Sequence, residues 1–163
     1  MIDVFESTIQ KTYEWLRDLM DILDWNDEQL AYLALRGTLH ALRDRLTIDA
    51  GAKLSSQLPM LLRGIYYEGW KPSQTPVKVR TPEEFLDYVH EHFNCTALSA
   101  YLDIEEIVLA VFQVVADHVS SGQIYRIKQA LPYPIAELWP SNEYTEELEM
   151  MRRNVKAYRG KNF

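Results

Sequence analysis

Apolar residues recur at intervals of three and four along almost the whole chain, and no stretch alternates at period two for long enough to make a strand. That regularity restricts the fold to the all-α class. Phe5, Ile9, Tyr13, Leu16, Leu19, Met20 and Leu23 make the first stripe, and Asp3 with Glu6 has the spacing of a capping box at its start. Asn26 or Asp27 opens a second helix. Its stripe is Leu30, Leu33, Ala34, Leu39, Leu42 and Leu46, with Arg36, Arg43 and Arg45 on wetter positions. A third helix runs from about Asp49 through Leu54, Leu58, Leu61, Leu62 and Ile65. Pro59 lies inside it and predicts a kink or a break, because proline removes a ladder bond and clashes with the preceding turn. Gly69 is placed to stop it.

Residues 71–80 lose this periodicity and hold Pro72 and Pro76 among short polar side chains, which predicts a linker. Thr81, Pro82 and Glu84 restart a helix with a cap, a proline at the first position and a glutamate able to reach back. That helix carries Phe85, Leu86, Val89 and Phe93. Asn94 to Leu102 is a loop or one short turn. Asp103 and Glu106 open the next helix, through Ile107, Val108, Val111, Phe112, Val115 and Val119, with Ser121 and Gly122 ending it. Ile124 to Leu138 repeats the proline-interrupted pattern at Pro132 and Pro134. Residues 142–158 predict a terminal amphipathic helix with Tyr144, Leu148, Met151, Val155 and Tyr158 on one side, its acidic start and basic end suiting the helix dipole.

The two halves match each other. Asp27, Leu33 and Ala34 pair with Asp103, Leu109 and Ala110 at an offset of 76. Leu54 and Leu58-Pro59 pair with Ile127 and Leu131-Pro132 at 73, and Trp15-Leu16 with Phe85-Leu86 at 70. The expected architecture is a helical bundle of two similar three-helix repeats, about 3–70 and 81–140, in one compact domain spanning 1–140. A C-terminal helix and tail, 141–163, follows.

The stretch from Gln57-Leu58-Pro59 through Leu62-Arg63 to Gly69-Trp70 resembles the "QLP-x-x-LR…GW" stretch of the bacterial domain-of-unknown-function 2267 family. Ala34-Leu35-Arg36 to Leu46, and Leu131-Pro132 to Leu138-Trp139-Pro140, resemble it too. The resemblance covers roughly residues 3 to 140. It implies an all-helical bacterial cytoplasmic protein of two similar halves, and it supplies no catalytic residue, since the family carries no established activity. Ala136 stands where the first copy has Arg63, so a symmetric pair of sites is not implied.

Composition narrows the function classes. With 163 residues, 47% of them apolar, the chain can bury a sizeable single core. Seventeen basic against twenty-four acidic residues leave a net charge of −7, which disfavours nucleic acid and anionic lipid as partners. The single cysteine, Cys95, forms no internal disulfide and fits a reducing cytosol. Met1 to Gln10 lacks a signal pattern, and the longest apolar stretch, Ile107 to Val115, falls far short of the roughly 18–20 residues that span a bilayer. A soluble cytoplasmic protein without a membrane partner is expected.

No nucleotide loop, nucleophile motif or metal-cluster pattern is present, so no catalytic residue, cofactor or metal ligand is assigned. His90, His92 and Cys95 come nearest to a metal site. On a helix, however, the two histidines lie about 200° apart, and a solvated helix end beside a small buried cysteine is the simpler reading. His40 and His118 would need a carboxylate or nucleophile in reach, and Asp44, four residues after His40, suggests only a surface hydrogen bond. Arg36, Arg43, Arg45 and Lys53 are interleaved with Asp44 and Asp49 as on a solvated face.

Arg63, Tyr66, Tyr67 and Trp70, with Glu68 between them, are the densest aromatic and charged cluster. They are the candidate partner or ligand surface. The alternative is that Tyr66 and Trp70 fill the seam between the halves while Arg63 pairs with a carboxylate. Arg152, Arg153, Lys156, Arg159 and Lys161 follow Glu146, Glu147 and Glu149 on the terminal helix, a pattern that also suits docking on another subunit. The functional expectation is a non-enzymatic helical protein-interaction module that binds a protein partner or itself. The alternative is a small-ligand-binding protein or enzyme using a cleft between the repeats.

Overall fold

The computed structural model describes residues 2–93, 101–141, 150, 151 and 153–155, and every regular element among them is helical. The first half contains α1 (Asp3–Leu23), α2 (Glu28–Arg45), α3 (Ile48–Ser55) and α4 (Met60–Tyr67). The second contains α5 (Pro82–His92), α6 (Ile104–His118), α7 (Ser121–Ala130) and α8 (Tyr133–Ala136). Each proline-interrupted stretch is therefore two separate helices, with Pro59 and Pro132 at the N-cap positions of α4 and α8.

Side-chain caps set several of the starts. Asp27 accepts from Leu30 N–H at 3.1 Å, Thr81 from Glu84 N–H at 3.2 Å and Asp103 from Glu106 N–H at 3.1 Å. Glu84 reaches back one residue further than a capping box requires and accepts from Arg80 N–H at 3.3 Å. The expected box at Asp3 and Glu6 does not form. Ile2 is the N-cap of α1, so both acids lie in the first turn, where the helix dipole alone favours them. Ser121 and Gly122, expected to end α6, instead begin α7, because Ser120 accepts from Gln123 N–H. Asp24 closes α1 in the left-handed region, φ 54°, and its N–H meets Met20 C=O.

The halves interlock. α1 packs against α6, α2 against α5 and α3 against α7, while α1–α2 and α5–α6 pair within their own halves. α2 and α6 are buried on most sides; α6 alone contributes Ile107, Val108, Ala110, Val111, Phe112, Val114 and Val115 to one continuous core. Phe112 lies between Phe85, 6.0 Å away, and Trp139, which stacks on it at 4.0 Å and 9°. The linker is tied down at two points, with Val77 N–H donating to Asp44 C=O at 2.9 Å and Arg45 donating to Val79 C=O. It holds one 3₁₀ turn, Pro72–Gln74. Among the described residues no helix is long and apolar enough to cross a membrane. Most of the expected terminal helix, 142–149 and 156–158, and the ambiguous segment 94–100 lie outside the described residues.

Two glycines give opposite expectations. A methyl group on Gly37 would meet the Cβ and backbone of His92 at 3.6 Å, ordinary contact, so Gly37→Ala should stabilise by about 0.5–1 kcal/mol through helix propensity. A methyl group on Gly51 would press on Tyr66 Oη at 3.2 Å and disturb its buried bond to Gly51 C=O. That loss outweighs the same gain, and Gly51→Ala should destabilise by about 1 kcal/mol. Urea denaturation reads both; midpoints moving in the same direction would contradict the assignment.

Candidate functional site

The cluster nominated by the sequence is brought together, but much of it faces inward. Arg63 donates to the carbonyls of Ser55 (2.8 Å), Ser56 (3.3 Å) and Leu58 (3.0 Å), so its partners are the chain end of α3 and the turn after it rather than a carboxylate. Tyr66 is fully buried and donates to Gly51 C=O at 3.0 Å. Tyr67 is half-buried, with its hydroxyl 2.6 Å from Ser55 Oγ and its ring between Tyr66 and Trp70. Trp70, also half-buried, donates from Nε1 to Thr75 Oγ1 at 3.2 Å. Only Tyr67 and Trp70 of the three aromatic side chains meet solvent, and in part.

A second cluster was not assigned from sequence. Arg43, expected on a wet face, is 4% exposed. It donates to Tyr66 C=O at 2.8 Å and Glu68 C=O at 2.9 Å, closing the C-terminal end of α4, and pairs with Asp44 at 2.9 Å. Asp44 also accepts from Tyr88 Oη at 2.7 Å and faces His92 Nε2 at 3.5 Å, both on α5. Burial alone would raise the Asp44 pKa, but the bonds from His92, Arg43 and Tyr88 outweigh it and hold the carboxyl at about 2. Burial and the same carboxylate push the Tyr88 phenol up. For His92, burial opposes the proton, while Asp44 and the Tyr88 carbonyl overcome it and raise the pKa.

His40 does not bond Asp44 as expected. It donates from Nε2 to Ile65 C=O at 2.7 Å, and its ring stands 6.3 Å from that of His92. Burial, reinforced by Arg43 and Arg36, lowers its pKa to about 4 against the pull of the Ile65 carbonyl. Two depressions of about 230 and 290 Å³ share Arg43, Gly69 and His92, giving a polar cleft where α2 and the end of α4 meet α5. His118 is elsewhere, 2.6 Å from Asp18 and stacked on Trp15, and His90 is exposed. Among the described residues no group of three or more His, Cys, Asp or Glu could hold a metal ion; Cys95 lies outside them.

The third feature is apolar. Phe5, Ile9 and Tyr13, expected inside with the rest of the α1 stripe, are 51%, 39% and 43% exposed; the buried face of α1 is Trp15, Leu16, Leu19 and Leu23. On α4, Met60 and Leu61 are exposed as well. Between them runs a groove of about 320 Å³ walled by Ile9, Tyr13, Leu16, Tyr32, Leu61 and Ile65, with Glu28 and Gln29 also on its rim. Thr8 Oγ1 accepts from Leu61 N–H at 2.8 Å and pins the two walls together. The groove stays open for a reason of length. The 21 residues of α1 extend about 31 Å, and the eight of α4 only about 12 Å, so α4 cannot cover the overhang.

Together these features define a small all-helical protein with a polar seam and an apolar groove that no described residue covers. The chain belongs to the family described as an uncharacterized conserved protein, DUF2267, which matches residues 12–138. No curated protein matches it.

The His40 environment sets a pH dependence. The unfolded chain takes up a proton near the ordinary 6.5, whereas the folded chain does so only near 4, so stability falls as pH drops through that window. His40→Gln keeps a donor for Ile65 and cannot be protonated. Between pH 7 and 4.5 it should lose less stability than the parent chain, by about 1–3 kcal/mol after solvent screening. Equal losses in chemical denaturation at the two pH values would refute the role given to His40.

Proposed function

We propose that this protein is a non-enzymatic, cytoplasmic helical interaction module that receives an amphipathic helix in the groove between α1, α2 and α4. The observation that carries this reading is the groove lined by the exposed Ile9, Tyr13 and Leu61, which no described residue covers, with Phe5 and Met60 exposed on the same two helices. Monomeric proteins seldom leave such a patch without a use, and a groove flanked by apolar side chains at i and i+4 suits a helix. The module is two copies of one unit. In support, Leu58-Pro59 and Leu131-Pro132 break the chain alike, Thr47 and Ser120 cap corresponding helices, and α1 and α5 each pack on the long helix of the other half.

A second reading, a small ligand in the polar cleft, is favoured by the convergence of Arg36, His40, Arg43 and His92 there. It ranks lower because Arg43 and Asp44 already satisfy one another and the chain around them. The first reading is tested by placing a benzophenone side chain at position 9 and, as a control, at position 78 on the linker. In cells, irradiation should give a covalent polypeptide adduct from position 9 and none from position 78, and Leu61→Glu should reduce it at least tenfold. Absence of an adduct at position 9 would reject the groove as a docking surface.

A further inference from the structure

We infer that the groove is covered by α1 of a second copy of this chain, packed antiparallel along the first, so that two copies close groove to groove as a two-fold dimer. The inference rests on the groove being a docking surface and adds the identity of what docks.

The apolar row of α1 is its own complement when a second copy runs the other way. At about 100° per residue, Phe5, Ile9, Tyr13 and Leu16 fall within an arc of about 80° and extend about 16 Å along the helix. Phe5, Ile9 and Tyr13 are exposed, and Ile9, Tyr13 and Leu16 line the groove. With the two-fold midway between Ile9 and Tyr13, Ile9 of each copy lies level with Tyr13 of the other, and Phe5 lies within one residue of Leu16. Leu61, exposed on the opposite wall, is covered by the same partner helix.

Charge selects the same arrangement independently. Asp3, Glu6 and Arg17 follow one another along one flank of that row, about 60–120° round from Ile9 and away from Thr8, which bonds α4. All three are exposed, and none makes an ion pair with a described residue. A two-fold perpendicular to α1 keeps this flank of both copies on the same side of the pair. In the register set by Ile9 and Tyr13, Arg17 lies level with residue 5 of the partner, within about 3 Å along the axis of both Asp3 and Glu6. The pairing occurs twice. A parallel pair would put the two flanks on opposite sides and leave these charges apart. Each copy has one groove and one such row, so the contact is used up at two copies and does not propagate.

The test is sedimentation velocity of the full chain at low salt. The parent should dimerise with a dissociation constant of about 10 μM, as suits a contact of one helix pair. Ile9→Glu, at an exposed position in the middle of the row, should weaken the dimer about tenfold or more with unchanged far-UV circular dichroism. Arg17→Glu and Glu6→Arg each bring like charges together twice, and each should weaken it about threefold or more. An equimolar mixture of these two variants brings opposite charges together twice and should recover the parent's affinity as a heterodimer, which a frayed helix could not do. High salt should erase the differences among them. A parent chain still monomeric at about 100 μM, a dimer that Ile9→Glu retains, or a mixture no tighter than its separate components would overturn the inference. A monomeric parent chain whose position 9 still cross-links to a different polypeptide would overturn this inference and leave the groove reading standing. A monomer with no adduct at all would remove both.

Discussion

A proline break inside a bundle creates a problem of unpaired carbonyls, and much of this molecule follows from how that problem is met. Ending α3 at Ser55 and starting α4 at Met60 leaves C=O groups at the end of one short helix and, twelve residues later at Tyr67, at the end of another. Buried carbonyls without donors cost on the order of 1–3 kcal/mol each. Arg63 meets the first set, at Ser55, Ser56 and Leu58, and Arg43 meets the second, at Tyr66 and Glu68. Arg43 is buried in doing so, and a buried cation needs an anion. Asp44 supplies it, and the remaining lone pairs of Asp44 then hold Tyr88 and His92 on α5. The joint between the halves is thus a consequence of a broken helix in one of them.

This explains what could and could not be read from the sequence. Caps at Asp27, Thr81 and Asp103, the breaks at Pro59 and Pro132 and the all-helical class depend on neighbours within four residues, and they were legible. The burial of Arg43 depends on carbonyls more than twenty residues away, and a helix wheel shows it only as one charge among several on a wet face. The sequence does contain a signal, in that a short helix ending at Tyr67 without a basic residue in its last turn must find donors elsewhere. The grouping of Tyr66, Tyr67 and Trp70 was legible as a cluster. Which of them faces inward was not, because Tyr66 and Tyr67 differ by only about 100° on the helix.

Polar and apolar surfaces carry different weight as signs of function here. In the seam, Arg43, Asp44, Tyr88, His40 and His92 each have a partner, and the shifts of Asp44 to about 2 and His40 to about 4 record how well the arrangement holds one charge state of each group. A network so occupied contributes to specifying how α2 meets α5. The groove is the reverse case, since its side chains are the kind that leave water and nothing in the described chain covers them.

The comparison of α1 with α5 shows why the groove is not a by-product of folding. Aligned on Trp15 and Phe85, the two helices do the same work: each buries one face against the long helix of the opposite half. α5 does it in 11 residues, whereas α1 has 21, and the surplus lies at its N-terminal end. The family match begins at residue 12, where the counterpart of α5 begins. An overhang whose one tie to the core is the Thr8 bond to Leu61 N–H would be expected to be polar on its other sides. This one leaves Phe5 exposed and sets Ile9 in the groove with Tyr13 and Leu61 of the neighbouring helix. Exposed apolar side chains spaced four apart along such a segment, beyond what the Thr8 contact requires, are best explained by a partner that covers them.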